Sequence, residues 1–282
     1  GRQAPRGAAD AVAERIRVRV HVVSDVHGNA KALARAADRA DALVVLGDLL
    51  DFVDYQNHSR GILGMLFGPE KVATFARLRA SGDRERTVQF SRSLWDSLRD
   101  PAAAIEEAIR AQYDELFGVL NSCSVPVYAT PGNVDLPALW PEYAGENVRV
   151  LDGSAVTIGG LRFGFVGGTL QPPGYRPRPG AAWRPYMRTV EEFGEVIESL
   201  GDVDVLCTHI PPRVPELTYD VVARRVEQGA AGVLETITTR RPRWSLFGHV
   251  HQPLAARMRI GQTECCNVGH FRAVERPFVL KW

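Results

Sequence analysis

Short apolar runs recur along the chain, and five of them end abruptly in polar residues. A helical pattern at residues 30–40 separates the first two runs. The fully apolar second run predicts a β-strand that is buried on both faces. A strand, a helix and a second strand in this order form a βαβ unit, so we expect a parallel sheet. The five runs cover residues 17–23, 42–46, 125–130, 203–207 and 244–247.

The segment at residues 51–122 interrupts this alternation, because it contains no strand pattern. Helical patterns at 69–80, 87–98 and 102–120 predict a helical insertion after the second strand. The insertion could act as a lid or be an enlarged crossover. Within it, we expect the apolar residues 62–67 to belong to the core.

The second half of the chain continues as a mixture of strands and helices. Gly159 and Gly160 predict a hairpin turn, and Thr189 with Glu192 forms a capping-box pattern at the start of a helix. We expect antiparallel strands from about residue 254 to the end. The chain is predicted to form one α/β domain over residues 16–282, preceded by a flexible leader at 1–15. Further strands are expected at 148–151, 155–158 and 161–166, and further helices at 189–200 and 230–239.

Residue types that bind metal ions stand at the end of each of the five apolar runs. Ligand sites in open α/β sheets form outside the carboxyl ends of the strands, so we expect these side chains to converge on one pocket. The recurrence at five strand ends favours a metal site of carboxylate, amide and imidazole groups. The residues are Asp25 and His27, then Asp48, Asn133 and His209, and finally His249 and His251.

Each of these residues also has a purely structural interpretation. Asp25 and His27 could simply precede a helix with Asn29 as its N-cap, and Asp48 could cap another helix. Asn133 could hold a turn, and His209 could be a hydrogen-bonded core histidine. The metal-site hypothesis therefore depends on the set of residues and not on any single position.

The balance of charge argues against a strongly basic binding surface. The 282 residues include 34 Lys and Arg and 33 Asp and Glu, which gives a formal net charge of +1. We therefore expect no stable binding to nucleic acid. No apolar run is long enough to span a bilayer, so no transmembrane segment is expected. The four cysteines form no C-x-x-C pair, which favours reduced core cysteines and a cytoplasmic location.

The order of the motifs resembles that of the calcineurin-like metallophosphoesterase superfamily. The motifs are D-x-H at Asp25, G-D-x-x-D at Asp48, G-N-x-D at Asn133, a single His at His209 and G-H-x-H at His249. The resemblance extends from about residue 16 to residue 271 and implies a four-layer α/β/β/α sandwich with a central mixed sheet pair. It also implies a binuclear metal centre that Asp48 bridges. Asp25, His27, Asp48 and His251 would hold the first metal, and Asn133, His209 and His249 would join Asp48 at the second.

The implied reaction is the hydrolysis of a phosphoester by a hydroxide that bridges two divalent metals and attacks phosphorus in line. Mixed nitrogen and oxygen ligands admit Mn, Fe, Zn, Co or Ni, of which we favour Mn. Asp48 and Asn133 would be central to this chemistry. Asp51 matches the last position of its motif, and we expect it to hydrogen-bond a metal ligand; a helix cap is the alternative.

One position departs from the family pattern. Val134 stands where many members have a His that stabilises the transition state or protonates the leaving oxygen, and valine can do neither. The candidate replacements are His58 and His270, while we expect Asp135 to cap a short helix that begins at Leu136.

The missing acid bears on the substrate, because it matters most for poor leaving groups. The sequence therefore favours a phosphodiester or nucleotide-type substrate over a phosphomonoester. The alternatives are a phosphomonoesterase or pyrophosphatase that acts on a small or lipid substrate, and a non-catalytic interaction module that keeps metals for stability.

The substrate-binding residues are the least defined by the sequence. A loop at 171–185, rich in Pro and Gly, contains Arg and aromatic residues that could hold a second phosphate or stack on a base. A solvated surface loop is the alternative. Arg213, Arg224 and Arg225, which follow the His209 motif, are further candidates with the same alternative. The loop candidates are Tyr175, Arg176, Arg178, Trp183 and Arg184.

Overall fold

The structure is a computed structural model that describes residues 17–282. The expected leader at 1–15 lies outside the described residues. The strands are β1 (Arg19–Val23), β2 (Ala42–Val45), β3 (Val127–Ala129), β4 (Val148–Val150), β5 (Ser154–Ile158), β6 (Leu161–Val166), β7 (Thr169–Leu170), β8 (Met187–Arg188), β9 (Val205–Thr208), β10 (Tyr219–Asp220), β11 (Arg225–Val226), β12 (Trp244–Phe247), β13 (Arg257–Ile260), β14 (Thr263–Asn267) and β15 (Phe278–Lys281). The helices are α1 (Ala30–Leu33), α2 (Gly61–Phe67), α3 (Pro69–Ala80), α4 (Arg84–Asp96), α5 (Pro101–Asn121), α6 (Trp140–Tyr143), α7 (Val190–Ser199), α8 (Pro215–Thr218), α9 (Ala231–Arg240) and α10 (Phe271–Val274).

Two mixed sheets dominate the described part of the chain. In the first sheet the order is β15-β1-β2-β3-β4, with β1 to β4 parallel and β15 antiparallel at the edge. In the second sheet the order is β13-β14-β12-β9-β6-β5, with β6, β9, β12 and β14 parallel between antiparallel edge strands. Strand β2 pairs in parallel with β1, and the short helix α1 connects them, which confirms the expected βαβ unit.

Three apolar cores divide the sheets and helices into layers. Alternate residues of a strand point to opposite faces, so neighbouring residues of β1 enter different cores. Val22 packs between the two sheets with Phe165 of β6, whereas Val23 packs beneath the helices with Phe117 of α5. A third core joins the second sheet to α7 and α9 and contains Phe193. The layers therefore follow the order helices, sheet, sheet, helices.

The segment that follows β2 is helical throughout its ordered elements, as predicted. Its last helix, α5, packs Ile109 and Phe117 against the first sheet and is the crossover between β2 and β3. Helices α2 and α3 enclose a separate small core of Leu63, Val72 and Phe75. In the apolar run at 62–67 the first two side chains are buried, whereas Met65 is 58% exposed.

The helix caps that the sequence predicted are present in the structure, whereas the predicted lengths of the helices are less accurate. The Asn29 side chain accepts a hydrogen bond from the Ala32 amide, and Thr189 with Glu192 forms the expected capping box. Helix α1 is shorter than predicted. The expected antiparallel strands are confirmed for β13 with β14 and for β15 with β1, but β14 also pairs in parallel with β12, which the sequence did not predict. Among the described helices, none is both long and apolar enough to cross a bilayer.

Candidate metal centre

The loops that follow β1, β2, β3, β9 and β12 bring all seven candidate ligands together. The Asp48 carboxylate lies at the middle of the group. Its Oδ2 atom is 3.3 Å from His209 Nε2 and 3.9 Å from His27 Nε2. Asp25 Oδ1 lies 3.4 Å from His251 Nε2 and 3.7 Å from His27 Nε2.

The amide of Asn133 completes the opposite side of the group. Its Oδ1 atom lies 3.0 Å from both His209 Nε2 and His249 Nδ1. Two sets of potential ligands share Asp48. One set is Asp25, His27 and Asp48, and the other is Asp48, His209 and His249. The sequence-based expectation of convergence at five strand ends is therefore met by the geometry.

Four of the candidate ligands have left-handed backbone conformations. The φ angles are 57° at Asp25, 41° at His27, 55° at Asp48 and 69° at His249. These conformations are uncommon for residues other than glycine, although Asp and His adopt them more readily than most. They turn each side chain sharply away from its strand. The backbone amide of His27 donates to the Asp48 carbonyl at 2.9 Å, which holds the first two turns against each other.

Two motif glycines allow the carboxylates to approach the backbone of neighbouring loops. A Cβ atom on Gly132 would lie 2.1 Å from Asp48 Oδ1. A Cβ atom on Gly248 would lie 2.1 Å from the Ser24 hydroxyl oxygen and 2.4 Å from Asp25 Oδ2. The Asp25 Oδ2 atom accepts a hydrogen bond from the His249 amide at 2.9 Å through this gap. The glycines are therefore part of the site because any side chain would displace a ligand.

Backbone carbonyls orient two of the imidazole rings. His27 Nδ1 lies 2.9 Å from the Leu50 carbonyl oxygen, and His209 Nδ1 lies 2.7 Å from that of Leu46. A carbonyl oxygen can only accept, so in each ring Nδ1 is the donor. Nε2 is then free to point at the carboxylates, which is the orientation that metal-binding histidines need.

Asp135 supports the Asp48 loop and does not cap the short helix for which the sequence suggested it. Its carboxylate accepts hydrogen bonds from the amides of Asp48 and Gly132, both at 2.8 Å, and from that of Leu49 at 3.0 Å. The turn that begins after Leu136 has no side-chain cap. The local sequence could not predict this role, because the amides that donate to Asp135 belong to two strand ends that are far apart in the chain.

The electrostatics of the buried group are dominated by two carboxylates beside several imidazoles. Burial raises the pKa of Asp25, but the imidazole of His251, whose Nε2 atom lies 3.4 Å from Oδ1, holds this pKa well below its usual value. Burial likewise raises the pKa of Asp48, and His209 more than compensates for it. Both carboxylates are therefore ionised at neutral pH.

The pKa values of the two buried imidazoles, His209 and His249, shift in opposite directions. Burial lowers the pKa of His209, but the charge of Asp48 and its hydrogen bond raise this pKa to about 9. Burial and the positive charge of His209 lower the pKa of His249 to about 4. The two shifts differ because His209 lies against the Asp48 carboxylate, whereas His249 lies against His209.

Unpartnered polar atoms in this group fit the binding of cations. Asp25 Oδ1 and His249 Nε2 are buried and have no hydrogen-bond partner among the described residues. His27 Nε2 and His251 Nε2 face each other at 3.3 Å. Buried groups without partners are costly unless something binds them. Imidazole nitrogens and carboxylate oxygens that converge in this way suit a divalent transition metal.

Val134 and the two candidate replacements lie in different places. The Val134 amide donates to Asp48 Oδ1 at 3.0 Å. His270 stacks on His251 with ring centroids 3.8 Å apart and faces the edge of His27. His58 precedes α2, and its carbonyl oxygen would lie 2.6 Å from a Cβ atom on Gly64. Among the described residues, it belongs to none of the groups of potential ligands. The structure therefore brings His270 to the centre, where it forms a third set of potential ligands with His27 and His251.

The Asp51 carboxylate contacts an arginine and not a candidate ligand. Arg272 NH1 lies 3.1 Å from Asp51 Oδ1, and Arg272 NH2 lies 2.6 Å from Asp54 Oδ2. Burial raises the pKa of Asp51 despite this ion pair. Arg272 was not among the sequence-based candidates, because no local pattern links it to residues more than 200 positions away.

The substrate-binding candidates are spread over the surface. Arg178 and Trp183 line a cavity beside α3 and α4. Arg184 donates to the Arg178 carbonyl at 3.2 Å, and Arg225 pairs with Glu227. The side chains of Arg176, Arg213 and Arg224 are exposed, and Tyr175 is partly buried.

Comparison with known proteins identifies the family. The model of the calcineurin-like phosphoesterase family matches residues 18–253, which is most of the chain. The protein belongs to the calcineurin-like phosphoesterase family. Membership makes it a hydrolase that acts on phosphoester bonds with a binuclear divalent metal cofactor. No curated protein matches the sequence.

Solved structures show the same fold at low sequence identity. One crystal structure aligns over 94% of this chain and 95% of its own length, with a TM-score of 0.61 and 18% identity. The crystal structure of TT1561 of Thermus thermophilus aligns over 93% of this chain and 98% of its own, with a TM-score of 0.54 and 13% identity. At these identities the likeness concerns the fold alone.

Proposed function

We propose that this phosphoesterase binds its two metals through the seven converging side chains and hydrolyses a phosphodiester or nucleotide-type substrate. The observation that carries the proposal is the position of Asp48, which lies within reach of both sets of potential ligands. Asp25, His27, Asp48 and His251 would hold one metal. Asp48, Asn133, His209 and His249 would hold the other.

The ligand types support Mn²⁺ among the metals that such a site admits. Carboxylate and amide oxygens from Asp25, Asp48 and Asn133 suit this ion, and imidazoles are compatible with it. Two bound cations would supply an acidified water as nucleophile and would neutralise charge on the phosphate oxygens. On the cysteine pattern alone, we also propose a cytoplasmic location.

The protein's own residues shape this site before any metal binds. Leu46 and Leu50 fix the rings of His209 and His27 through their carbonyls, and Asp135 fixes the loop that carries Asp48. Such orientation is valuable because catalysis depends on groups that are held in the geometry of the transition state.

The preference for a phosphodiester rests on Val134. Its side chain packs against the core and offers no proton or hydrogen bond to a leaving oxygen. His270 contacts the rings of His251 and His27, whereas the Val134 amide contacts Asp48. A substrate with a good leaving group needs little protonation, and general acid catalysis is commonly worth about 10²–10⁴-fold.

His270 is proposed to contact the phosphate group and not to serve as an eighth ligand. Its ring is nearly parallel to that of His251, at an angle of 10°. The nitrogen lone pairs of parallel rings run side by side, so both cannot point at one ion at about 2.0–2.1 Å. Both ring nitrogens of His270 are buried without a partner among the described residues, which leaves a donor for a phosphate oxygen.

A comparison of two substrates tests the proposed preference. The Mn²⁺-loaded protein should hydrolyse bis(p-nitrophenyl) phosphate with a higher kcat/KM than p-nitrophenyl phosphate. Replacing Val134 by His should accelerate the hydrolysis of phenyl phosphate, which has a poorer leaving group, more than that of p-nitrophenyl phosphate. Faster turnover of the monoester by the wild-type protein would contradict the proposal. His270→Ala should lower the rate while the metal content per chain, measured by elemental analysis, stays unchanged.

A further inference from the structure

A cavity between the helical insertion and the loop at 171–185 has the features of a binding site for an organic anion. Its volume is about 390 Å³, and it lies between helices α3 and α4 and the loop at 171–185. We call it the tryptophan cavity, because Trp95 and Trp183 form two of its walls together with Phe52. Cavities of about 300–1,000 Å³ with mostly apolar linings are typical of small-molecule sites.

The walls of the tryptophan cavity are aromatic and partly unsatisfied. The rings of Phe52 and Trp183 contact each other with centroids 4.7 Å apart, and the ring of Trp95 lies 6.5 Å from that of Phe52. The indole nitrogen of Trp183 is buried and has no hydrogen-bond partner among the described residues.

The edge of the tryptophan cavity is positively charged. Arg79, Arg92 and Arg178 line it, and Asp96 is the one carboxylate among its lining residues, which leaves a formal charge of three minus one, or +2. In the described part of the chain none of these three guanidinium groups forms an ion pair. Guanidinium groups without a carboxylate partner are well suited to bind a phosphate, sulfonate or carboxylate.

The tryptophan cavity lies close to the proposed ligands along the chain. Phe52 follows Asp48 by four residues, so their Cα atoms are at most about 14 Å apart. On the other wall, the amide of Tyr186 donates to the Asn133 carbonyl at 2.8 Å, and Trp183 precedes Tyr186 by three residues, at most about 11 Å. Both walls are therefore attached to segments that hold the metal centre.

We propose that the tryptophan cavity binds the organic group of the phosphoester substrate, and that this group is bulky, apolar and carries a second negative charge. The inference rests on the proposed phosphoesterase function. The apolar part of the group would contact the aromatic walls, and the second charge would pair with the arginines at the edge. An aromatic ring system and an alkyl chain share this chemistry, and the test distinguishes them.

Binding to the metal-free protein tests the cavity without any turnover. The probes are 8-anilinonaphthalene-1-sulfonate, which is aromatic, and decyl sulfate, which is aliphatic. We expect saturable binding of at least one probe, detected by a change in tryptophan fluorescence. The tighter probe identifies the kind of apolar group. The double variant Arg79→Gln with Arg178→Gln should weaken binding by about tenfold or more, since a charged hydrogen bond is lost.

Matched controls separate the cavity from general surface charge. Arg77→Gln with Arg176→Gln removes two arginines from the same helix and loop, but neither residue lines the cavity. This variant should bind the probe within about twofold of wild type, as expected for surface substitutions. Ala182→Leu fills the cavity and should abolish binding. Near-ultraviolet circular dichroism of each variant verifies the fold. Wild-type affinity in the Arg79/Arg178 variant, or in Ala182→Leu, would overturn the proposal.

Hydrolysis of three esters then tests the cavity in catalysis. All three share p-nitrophenolate as the leaving group and carry methyl, sulfonaphthyl or 10-sulfodecyl as the retained group. The wild-type protein should prefer one of the two bulky esters by about tenfold in kcat/KM, and Ala182→Leu should remove this preference. Equal kcat/KM values for all three esters would overturn the inference but leave the phosphoesterase function standing. Hydrolysis of none, with normal probe binding, would instead contradict the proposed substrate type.

Discussion

The carboxylate of Asp135 holds the backbone of Asp48, the residue that both sets of potential ligands share. Its two oxygens accept from the amides of Asp48 at 2.8 Å and Leu49 at 3.0 Å, and the Tyr113 hydroxyl lies 3.3 Å away. Burial and the negative charge of Asp48 raise the pKa of Asp135 to about 6. The aspartate that ends the G-N-x-D motif is therefore a positioning residue for the G-D-x-x-D motif.

Replacing Asp135 by Asn should destabilise the protein. The new amide group would present hydrogens to backbone donors, and a buried donor left without an acceptor costs about 1–3 kcal/mol. Urea denaturation measures the change in the free energy of unfolding. Asp114→Asn, on the exposed side of α5, is the control and should change it by less than about 0.5 kcal/mol. Equal effects of the two substitutions would contradict the positioning role.

The left-handed backbone at Asp48 predicts an unusual order of stability for two variants. With φ at 55°, a β-carbon is unfavourable by about 1–2 kcal/mol, so Asp48→Gly should be more stable than Asp48→Ala by about 1 kcal/mol. The same pair at Asp114, within α5, should show the reverse order, because glycine costs about 1 kcal/mol in a helix. Thermal unfolding of the four metal-free variants would test this. An alanine variant at Asp48 that is as stable as the glycine variant would contradict the prediction.

Gly248→Ala should lower the free energy of metal binding by more than it lowers the free energy of unfolding. The new methyl group would lie 2.4 Å from Asp25 Oδ2 and force that carboxylate to move. Losses of about 10–100-fold in metal affinity are typical when the support of a ligand is disturbed. Calorimetric titration with Mn²⁺ measures the affinity. Gly232→Ala on α9, where the nearest atom is 4.0 Å away, is the control and should bind metal normally. Wild-type affinity in Gly248→Ala would show that the close approach is unimportant.

Asp220 predicts a specific dependence of stability on pH. Its carboxylate accepts from the amides of Val222, Ala223 and Gln252, and so holds the loop next to His251. Burial raises the pKa of Asp220, but these hydrogen bonds lower it below the ordinary value of 3.8. A carboxylate of this kind stabilises the fold above its unfolded-state pKa, and the contribution is lost as the pH falls through the folded-state pKa.

Asp220→Asn should therefore reduce stability at pH 7, and the difference from wild type should shrink as the pH falls below about 3.8. Denaturation in urea at a series of pH values tests this. Asp202→Asn, whose side chain is 92% exposed, is the control and should leave the pH profile unchanged. A difference between Asp220→Asn and wild type that is constant from pH 7 to pH 3 would contradict the assignment.

The convergence of the candidate ligands was predictable from the sequence because each of them ends a strand. Parallel strands place such residues at one edge, so Asp25, Asp48 and His209 could be grouped without coordinates. The capping roles of Asn29 and Thr189 were equally clear, because those contacts are local. What the sequence could not specify depends on distant contacts. The donors to Asp135, the parallel pairing of β14 and the choice between His58 and His270 all follow from packing between segments far apart in the chain.

The tryptophan cavity illustrates the same limit. The sequence suggested Arg178 and Trp183 as candidates within a loop that could equally be solvated. It contained no signal that the loop meets Trp95 and Arg79 of the helical insertion, because that contact depends on how α3 and α4 pack against the domain.

The most direct test of the central claim is the metal content and activity of Asp48→Ala beside wild type. After reconstitution with Mn²⁺ and removal of excess metal, the wild-type protein should contain two ions per chain and hydrolyse bis(p-nitrophenyl) phosphate. Asp48→Ala should lose at least one ion and all hydrolysis, because both proposed sites use this carboxylate. Two bound ions and undiminished hydrolysis in the folded Asp48→Ala variant would contradict the account.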